Sequence, residues 1–502
     1  MNAPERQAPF EPFGADHGPL LRGIFAPVCD EATLTGLPVL RGAIPRDLQG
    51  VYMRAGPNTR FAPQGRYHPF DGDGMIHAAH FDHGRLTYRN RWVRTEAWSE
   101  EDSAGGARYF GIRETLKGRA DRRLKDSGNT DLIGHGGKAL ALWYMAGDAW
   151  EIDPVTLRTL GPSAAVRATG GAISAHAKTD EITGELMFFD YGLQAPYMHY
   201  GVIGADGALK HHVPIALPGP RLPHDMAITQ HHSILHDLPL FHDPEALKLG
   251  RHKIDFHPDM PTRLGVIPRF GGSDQIRWFD FTPCFLYHVV NAWEDGEWIT
   301  MVGCRYMPAL LADGSIDAQR TARDVAALVQ RARLWRWRMN LRTGQTEEQA
   351  LDAGRNVEFP SCNAALTGRR TRFGYLCDQR EDVILQWPGI RKYDLDSGRM
   401  LSAWSDDAEH SWYSEPWFAA ADDPVSEDHG YVIAFQWNAA SRLQTLDIFD
   451  ARDLGTGPLA QVALPRHVPV GFHGCWIAAS RIAHWPPAQD HCAVPDQIEV
   501  LP

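Results

Sequence analysis

The sequence predicts an all-β chain wound into a closed β-propeller, on three observations. Turn chemistry recurs along almost its whole length, at Asp153-Pro154, Thr183-Gly184, Asp206-Gly207, Asp295-Gly296, Thr343-Gly344, Asp396-Ser397-Gly398 and Gly455-Thr456-Gly457. Between the turns lie apolar runs of strand length, at 139–143, 186–189, 285–290 and 431–435. A hairpin-end pattern, Asp followed by Thr-Gly, Ser-Gly or Pro-x-Thr-Leu, repeats at 153–157, 180–184 and 394–398. A pair of β-sandwiches is the alternative that this pattern leaves open.

Taken in order, residues 1–45 are Pro-rich and aperiodic and read as an N-terminal arm packed on the body; 46–502 read as one catalytic-sized propeller domain. Residues 51–54 form a short strand before a turn at Ala55-Gly56-Pro57-Asn58. Residues 78–81 and 86–93 are two strands around Asp82-His83-Gly84. Helical signal is sparse. Residues 108–125 are a basic helix candidate despite Gly111 and Gly118, and 317–333 an amphipathic one through Ala322, Val325, Ala326, Leu328 and Val329.

At 502 residues, length alone suggests about three domains of roughly 150 residues. No linker follows residue 50, so one closed unit is preferred. A net charge of −12 argues against a nucleic-acid partner. Sixteen Trp and 35 Pro suit many short strands joined by shaped loops. The seven cysteines form no Cys-x-x-Cys, so neither a zinc site nor a disulfide framework is indicated, and reduced thiols point to the cytoplasm. The first residues lack the apolar centre of a signal peptide, and no run has transmembrane length, which leaves peripheral contact as the membrane option.

Four histidines stand in similar apolar, small-residue settings: His176 in Ser-Ala-His-Ala-Lys, His224 in Leu-Pro-His-Asp, His288 in Leu-Tyr-His-Val-Val, and His473 in Gly-Phe-His-Gly-Cys. Any single histidine among 24 is more often structural. The gaps of 48, 64 and 185 residues exclude a local zinc finger, but they suit a propeller axis, where each blade can offer one side chain. Imidazole suits iron, copper, zinc and nickel, so the ligand type does not choose the metal. Glu358 and Glu415, acids inside apolar stretches, are candidates to accept the ligands' outer N–H groups.

Together with Pro69-Phe-Asp-Gly-Asp-Gly-Met75, Arg91-Trp-Val-Arg-Thr95, Asn129-Thr130, Ala141-Leu-Trp143, Phe256-His-Pro258 and Asn291-Ala292, these stretches resemble the carotenoid cleavage oxygenases, which include apocarotenoid- and stilbene-cleaving enzymes. The resemblance runs from about Gly42 to Trp476. It implies a seven-bladed propeller, a loop and helical cap over the metal face, and one Fe(II) per chain on His176, His224, His288 and His473. It gives Glu358 and Glu415 the outer hydrogen-bonding roles. The implied reaction is O2-dependent cleavage of a carbon–carbon double bond into two carbonyls, with no acid, base or nucleophile beyond the metal. The family commonly has a third glutamate after a Leu-Trp pair, where this chain has Tyr144. Stilbene-cleaving relatives bind a phenol with a tyrosine, where this chain has Trp92, which favours a hydrocarbon-like polyene of the carotenoid or apocarotenoid class over a stilbene or phenylpropene. Residues 235–249 could form an apolar entry patch for such a substrate. Two rivals remain. A non-catalytic platform would have no use for four separated histidines, and a calcium-dependent propeller would need clustered oxygens instead.

Overall fold

In the computed structural model, residues 18–115, 124–381 and 383–485 are described, with the backbone of Glu499–Leu501. Seven antiparallel sheets follow one another along the chain, and a two-stranded ribbon, Leu240–His242 with Ile254–Phe256, stands outside them. The molecule is therefore a seven-bladed propeller. Blades 2 to 6 have four strands each, in simple sequence order from the innermost strand outwards. Their innermost strands are Asp131–His135, Lys178–Thr179, Ala227–Ile228, Phe285–Asp295 and Val357–Ser361.

Both ends of the chain close the ring. Gly474–Ala478 pairs with Gly50–Pro57 as the innermost strand of blade 1. Val39–Gly42 pairs with Pro458–Leu464 on the outside of blade 7, and Glu31–Leu34 pairs with Arg85–Trp92 on the outside of blade 1. The N-terminal segment thus supplies strands to two sheets. Close backbone approach needs glycine at two of these joints: a Cβ on Gly42 would lie 1.7 Å from the Leu459 carbonyl oxygen, and one on Gly474 2.3 Å from that of Met53.

Two local expectations are corrected. Residues 108–115 are not helical, because their backbone donors are taken by carboxylates: Arg108 N–H by Glu101 at 2.7 Å and Ile112 N–H by Asp71 at 2.9 Å. The rest of that candidate lies partly outside the described residues. The helix of this region is Glu96–Ala104, capped by Thr95, whose hydroxyl accepts from Trp98 N–H, and ended by left-handed Gly105. The first strand runs on through Pro57, so Ala55-Gly56-Pro57 is strand and not turn.

The helix Ala318–Ala326, with Asp317 as its cap, packs on Ile254–Phe256 and forms the cap with the ribbon. The Tyr287 hydroxyl donates to the Val325 carbonyl at 3.0 Å and ties this cap to blade 5. Among the described residues all six cysteines are free thiols. No helix of the described residues is long and apolar enough to cross a membrane.

Candidate metal centre

The seven innermost strands each deliver one polar side chain to the axis, at or near the strand's start. Blades 1, 3, 4 and 5 bring His473, His176, His224 and His288; blades 2, 6 and 7 bring Asp131, Glu358 and Glu415. Irregular backbone aims them. Strand pairing shifts register on both sides of His288 and again after Glu358, as bulges do where a side chain must be turned off the regular pleat. The inner edge of blade 7 is broken between Ser411–Tyr413 and Trp417–Ala420, and Glu415 sits in the break before Pro416. His176 and Phe359 have positive φ, 68° and 50°. Such conformations cost about 1–3 kcal/mol and persist where the surroundings fix them. For His176 the fixing group is Asp131, whose carboxylate accepts the His176 backbone N–H at 2.9 Å.

The four imidazoles come together. Ring centroids lie 4.5 Å apart for His288 and His473, 4.6 Å for His176 and His473, 4.8 Å for His176 and His224, and 5.1 Å for His224 and His288. Their outer nitrogens show which atoms face inward. The Nδ1 of His288 bonds Glu358 at 2.5 Å and that of His473 bonds Glu415 at 2.8 Å, so each turns Nε2 to the centre. The Nε2 atoms of His224 and His288 approach to 3.3 Å. The Nε2 of His176 is buried with no hydrogen-bond partner among the described residues, and its Nδ1 lies 3.7 Å from Asp131.

Burial holds His176, His224 and His288 well below the usual imidazole range, so they are neutral with free lone pairs. Burial also depresses His473, but the Glu415 carboxylate beside it outweighs this and lifts it. His176, His224 and His288 each bring one ring nitrogen within 4.8 Å of the others, with His473 and the carboxylates beside them, an arrangement that fits a divalent transition metal.

The two carboxylates differ in how they are held. Glu415 accepts from three donors, His473 Nδ1, Gly474 N–H at 2.8 Å and Trp417 Nε1–H at 2.7 Å, using both oxygens. Glu358 uses one oxygen for His288 and for Phe359 N–H at 2.8 Å, and its Oε1 is buried without a partner. The Phe359 ring stacks on His473 at 4.5 Å.

Tyr144 does not take the place of a carboxylate. Its ring packs against His224 at 4.4 Å, while His224 Nδ1 has no hydrogen-bond partner among the described residues. His224 is held by rings instead, with Tyr287 edge-on at 4.9 Å and Phe285 at 6.1 Å. Tyr144→Phe is therefore expected to leave metal affinity and melting temperature near those of the wild type in a metal titration and a thermal melt; a loss of metal would mean that the hydroxyl orients His224.

Sequence reading missed Asp131, the third carboxylate on the axis, which serves His176 and not His224. Its signal was present: it directly follows Asn129-Thr130 and opens an inner strand. Burial raises it to about 6. Asp131→Asn, which keeps an acceptor but loses the charge, is expected to weaken metal binding by roughly tenfold, in the range seen for groups behind metal ligands; unchanged affinity in the same titration would reduce Asp131 to a backbone clamp. Asp225 was quoted without a role. Its carboxylate takes Val289 N–H and Met226 N–H, both at 2.7 Å, and Lys178 Nζ at 2.7 Å, which locks the bulge beside His288 to blades 3 and 4.

Trp92 is not brought to the centre. It is buried with Val28, Met75 and Trp98 in a separate cluster. Of 235–249, Leu235, Leu238 and Leu240 are buried and Leu249 is exposed, so the stretch packs inward instead of forming a patch. A cavity of about 110 Å³ opens on His224 and is walled by Phe70, Leu222, Leu240, Phe285 and Tyr287 beneath the cap. A second, polar chamber of about 160 Å³ reaches His176, His288 and His473 past Asp131, Lys178 and Asp225.

Comparison with known proteins matches residues 25–478 to the family described as retinal pigment epithelial membrane protein. A carotenoid 9,10(9',10')-cleavage dioxygenase of Crocus sativus is 33% identical, over 91% of this chain and 88% of its own. Among solved structures, the lignostilbene dioxygenase of Pseudomonas brassicacearum superposes with a TM-score of 0.81 at 27% identity, over 92% of this chain and 98% of that one. The Synechocystis apocarotenoid oxygenase gives 0.78 at 27% identity, over 91% and 98%.

Proposed function

The chain belongs to the carotenoid cleavage oxygenase family and is a dioxygenase of the carotenoid-cleavage type, and from that premise we propose its metal, ligands and substrate class. One Fe(II) per chain is held by His176, His224, His288 and His473, and the enzyme cleaves a double bond of a carotenoid or apocarotenoid with O2. The observation that carries this reading is the junction at His224, where a four-imidazole cluster meets an apolar cavity.

When bound, Fe(II) supplies the redox chemistry that lets O2 react with an alkene, which no side chain provides. The residues do the rest. Glu358 and Glu415 accept the outer N–H groups of His288 and His473 and keep their Nε2 lone pairs inward. Asp131 fixes the strained backbone of His176. Tyr144, Phe285 and Tyr287 hold the His224 ring by packing. Phe70, Leu222 and Leu240 exclude water and align the alkene. The balance is simple: the double bond and the O–O bond break, and each carbon leaves with one oxygen. No proton is gained or lost, so no acid or base is required.

A cavity near 110 Å³ is of the order of one that holds a benzene ring, so a polyene would seat one end there and extend through the mouth. The likeness to a lignostilbene dioxygenase supports a second reading, cleavage of a stilbene or phenylpropene. Protein loaded anaerobically with Fe(II) and given O2 with carotenoids, apocarotenals, stilbenes and phenylpropenes separates the two. Paired carbonyl products from the polyenes are expected, aryl aldehydes alone would favour the second reading, and no product from any alkene at full iron loading would overturn both.

A further inference from the structure

The cavity that opens on His224 is apolar except at a few places, and one of them has no structural purpose. His242, 3% exposed at the end of the ribbon strand Leu240–His242, and His252, in the loop before Ile254–Phe256, both line it. Their rings stand edge-on with centroids 5.5 Å apart. The Nδ1 atom of each is buried with no hydrogen-bond partner among the described residues. A buried nitrogen left unpaired costs about 1–3 kcal/mol, and native structures hold few of them. His68, on the same cavity, is different: its Nδ1 accepts the Phe70 N–H at 3.1 Å and caps a turn.

Resting on the alkene-cleaving function above, we propose that His242 and His252 bind a neutral oxygen function, a hydroxyl or a carbonyl, on the end of the substrate that enters the cavity. The substrate is then an apolar chain with an oxygenated end, not a bare hydrocarbon. The wall that carries the pair is rigid. His242 pairs with Ile254 across the ribbon, its backbone N–H donates to the Pro220 carbonyl at 3.2 Å, and the neighbouring Phe241 is clamped between His257, stacked at 4.1 Å, and the Arg221 guanidinium at 3.6 Å. Burial holds His242 down at about 3 and also lowers His252, so both rings are neutral and can donate or accept. That suits a hydroxyl or carbonyl; a carboxylate end would be drawn to Arg113, the cation that lines the same cavity, and not to the neutral pair. Leu222, Leu240 and Ile254 beside the pair supply no competing partner. A hydrocarbon end would bury both nitrogens against carbon.

The test compares a hydrocarbon polyene with unsubstituted end rings and its ring-hydroxylated counterpart on the iron-loaded protein. Binding is read under nitrogen by quenching of tryptophan fluorescence, and KM and kcat are read under O2. The wild type is expected to bind the hydroxylated compound about tenfold more tightly, the value of one or two net hydrogen bonds. His242→Phe should remove that preference by weakening the hydroxylated compound alone. His252→Phe, at a less buried position, should do the same in part, and His242→Gln, which can still donate and accept, should restore part of it. Equal affinity of the wild type for both compounds, or equal weakening of both in His242→Phe, overturns the inference. The two proposals fail separately: a binding preference without any cleavage discards the cleavage reaction, and cleavage of both compounds at one KM discards the subsite.

Discussion

Replacing His288 with alanine will strip the protein of iron and abolish alkene cleavage. His288 is the most connected of the four proposed ligands. Its Nε2 lies 3.3 Å from that of His224, its ring is within 5.1 Å of His176 and 4.5 Å of His473, and its Nδ1 bonds Glu358. The substitution removes one of four donors and also takes away the partner of a wholly buried carboxylate. The expected loss therefore exceeds the roughly 10–100-fold typical of changes behind a metal ligand. It also carries a stability cost of about 3–5 kcal/mol if Glu358 stays ionised and unpaired. The double variant His288→Ala with Glu358→Gln removes that charge. Recovery of the melting temperature without recovery of iron is the expected outcome by calorimetry and metal analysis. A His288→Ala protein with full iron and normal turnover would remove the residue from the site.

Glu415→Gln will be severe and Glu358→Gln mild, although the sequence presents them alike. Glu415 accepts three hydrogen bonds through two oxygens. An amide there must turn its NH2 group toward either His473 Nδ1–H or the pair Gly474 N–H and Trp417 Nε1–H, setting donor against donor. Glu358 accepts both of its bonds through one oxygen and leaves the other unpaired. An amide oxygen can keep both of those contacts, and only the charge is lost. Iron dissociation constants should rise roughly 100-fold for Glu415→Gln and about tenfold or less for Glu358→Gln, within the span expected for such groups. Equal effects, measured by competition with a chelating dye, would show that charge matters and bond count does not.

The sequence carried the residue types of the centre but not their geometry. Four histidines and two glutamates were legible because each sits in a short run whose apolar neighbours mark a strand beginning at the axis. Asp131 was not, because no local rule says that blade 2 would answer His176 from its own inner strand. The helix at 96–104 was not read from the sequence, and the candidate at 108–125 begins with N–H groups claimed by Glu101 and Asp71, contacts that no periodicity reports. The arm was legible as aperiodic, but its two strands depend on partners more than 50 or 400 residues away, Arg89 and Val462 among them. The stretch 235–249 failed in an instructive way. Its leucines suggested a patch, yet Leu235, Leu238 and Leu240 face inward, and the same turn of chain places His242 on the cavity wall.

The central claim is that one iron ion, held by these four imidazoles, is the seat of the reaction. The most direct measurement is iron content and rate of alkene cleavage on the same samples, as chelator-treated protein is titrated with Fe(II) under nitrogen and assayed on admitting O2. The rate should rise in proportion to bound iron and stop at one iron per chain, with the His288→Ala protein flat at zero. Turnover at full rate in iron-free protein, or a rate that follows calcium instead, would contradict it.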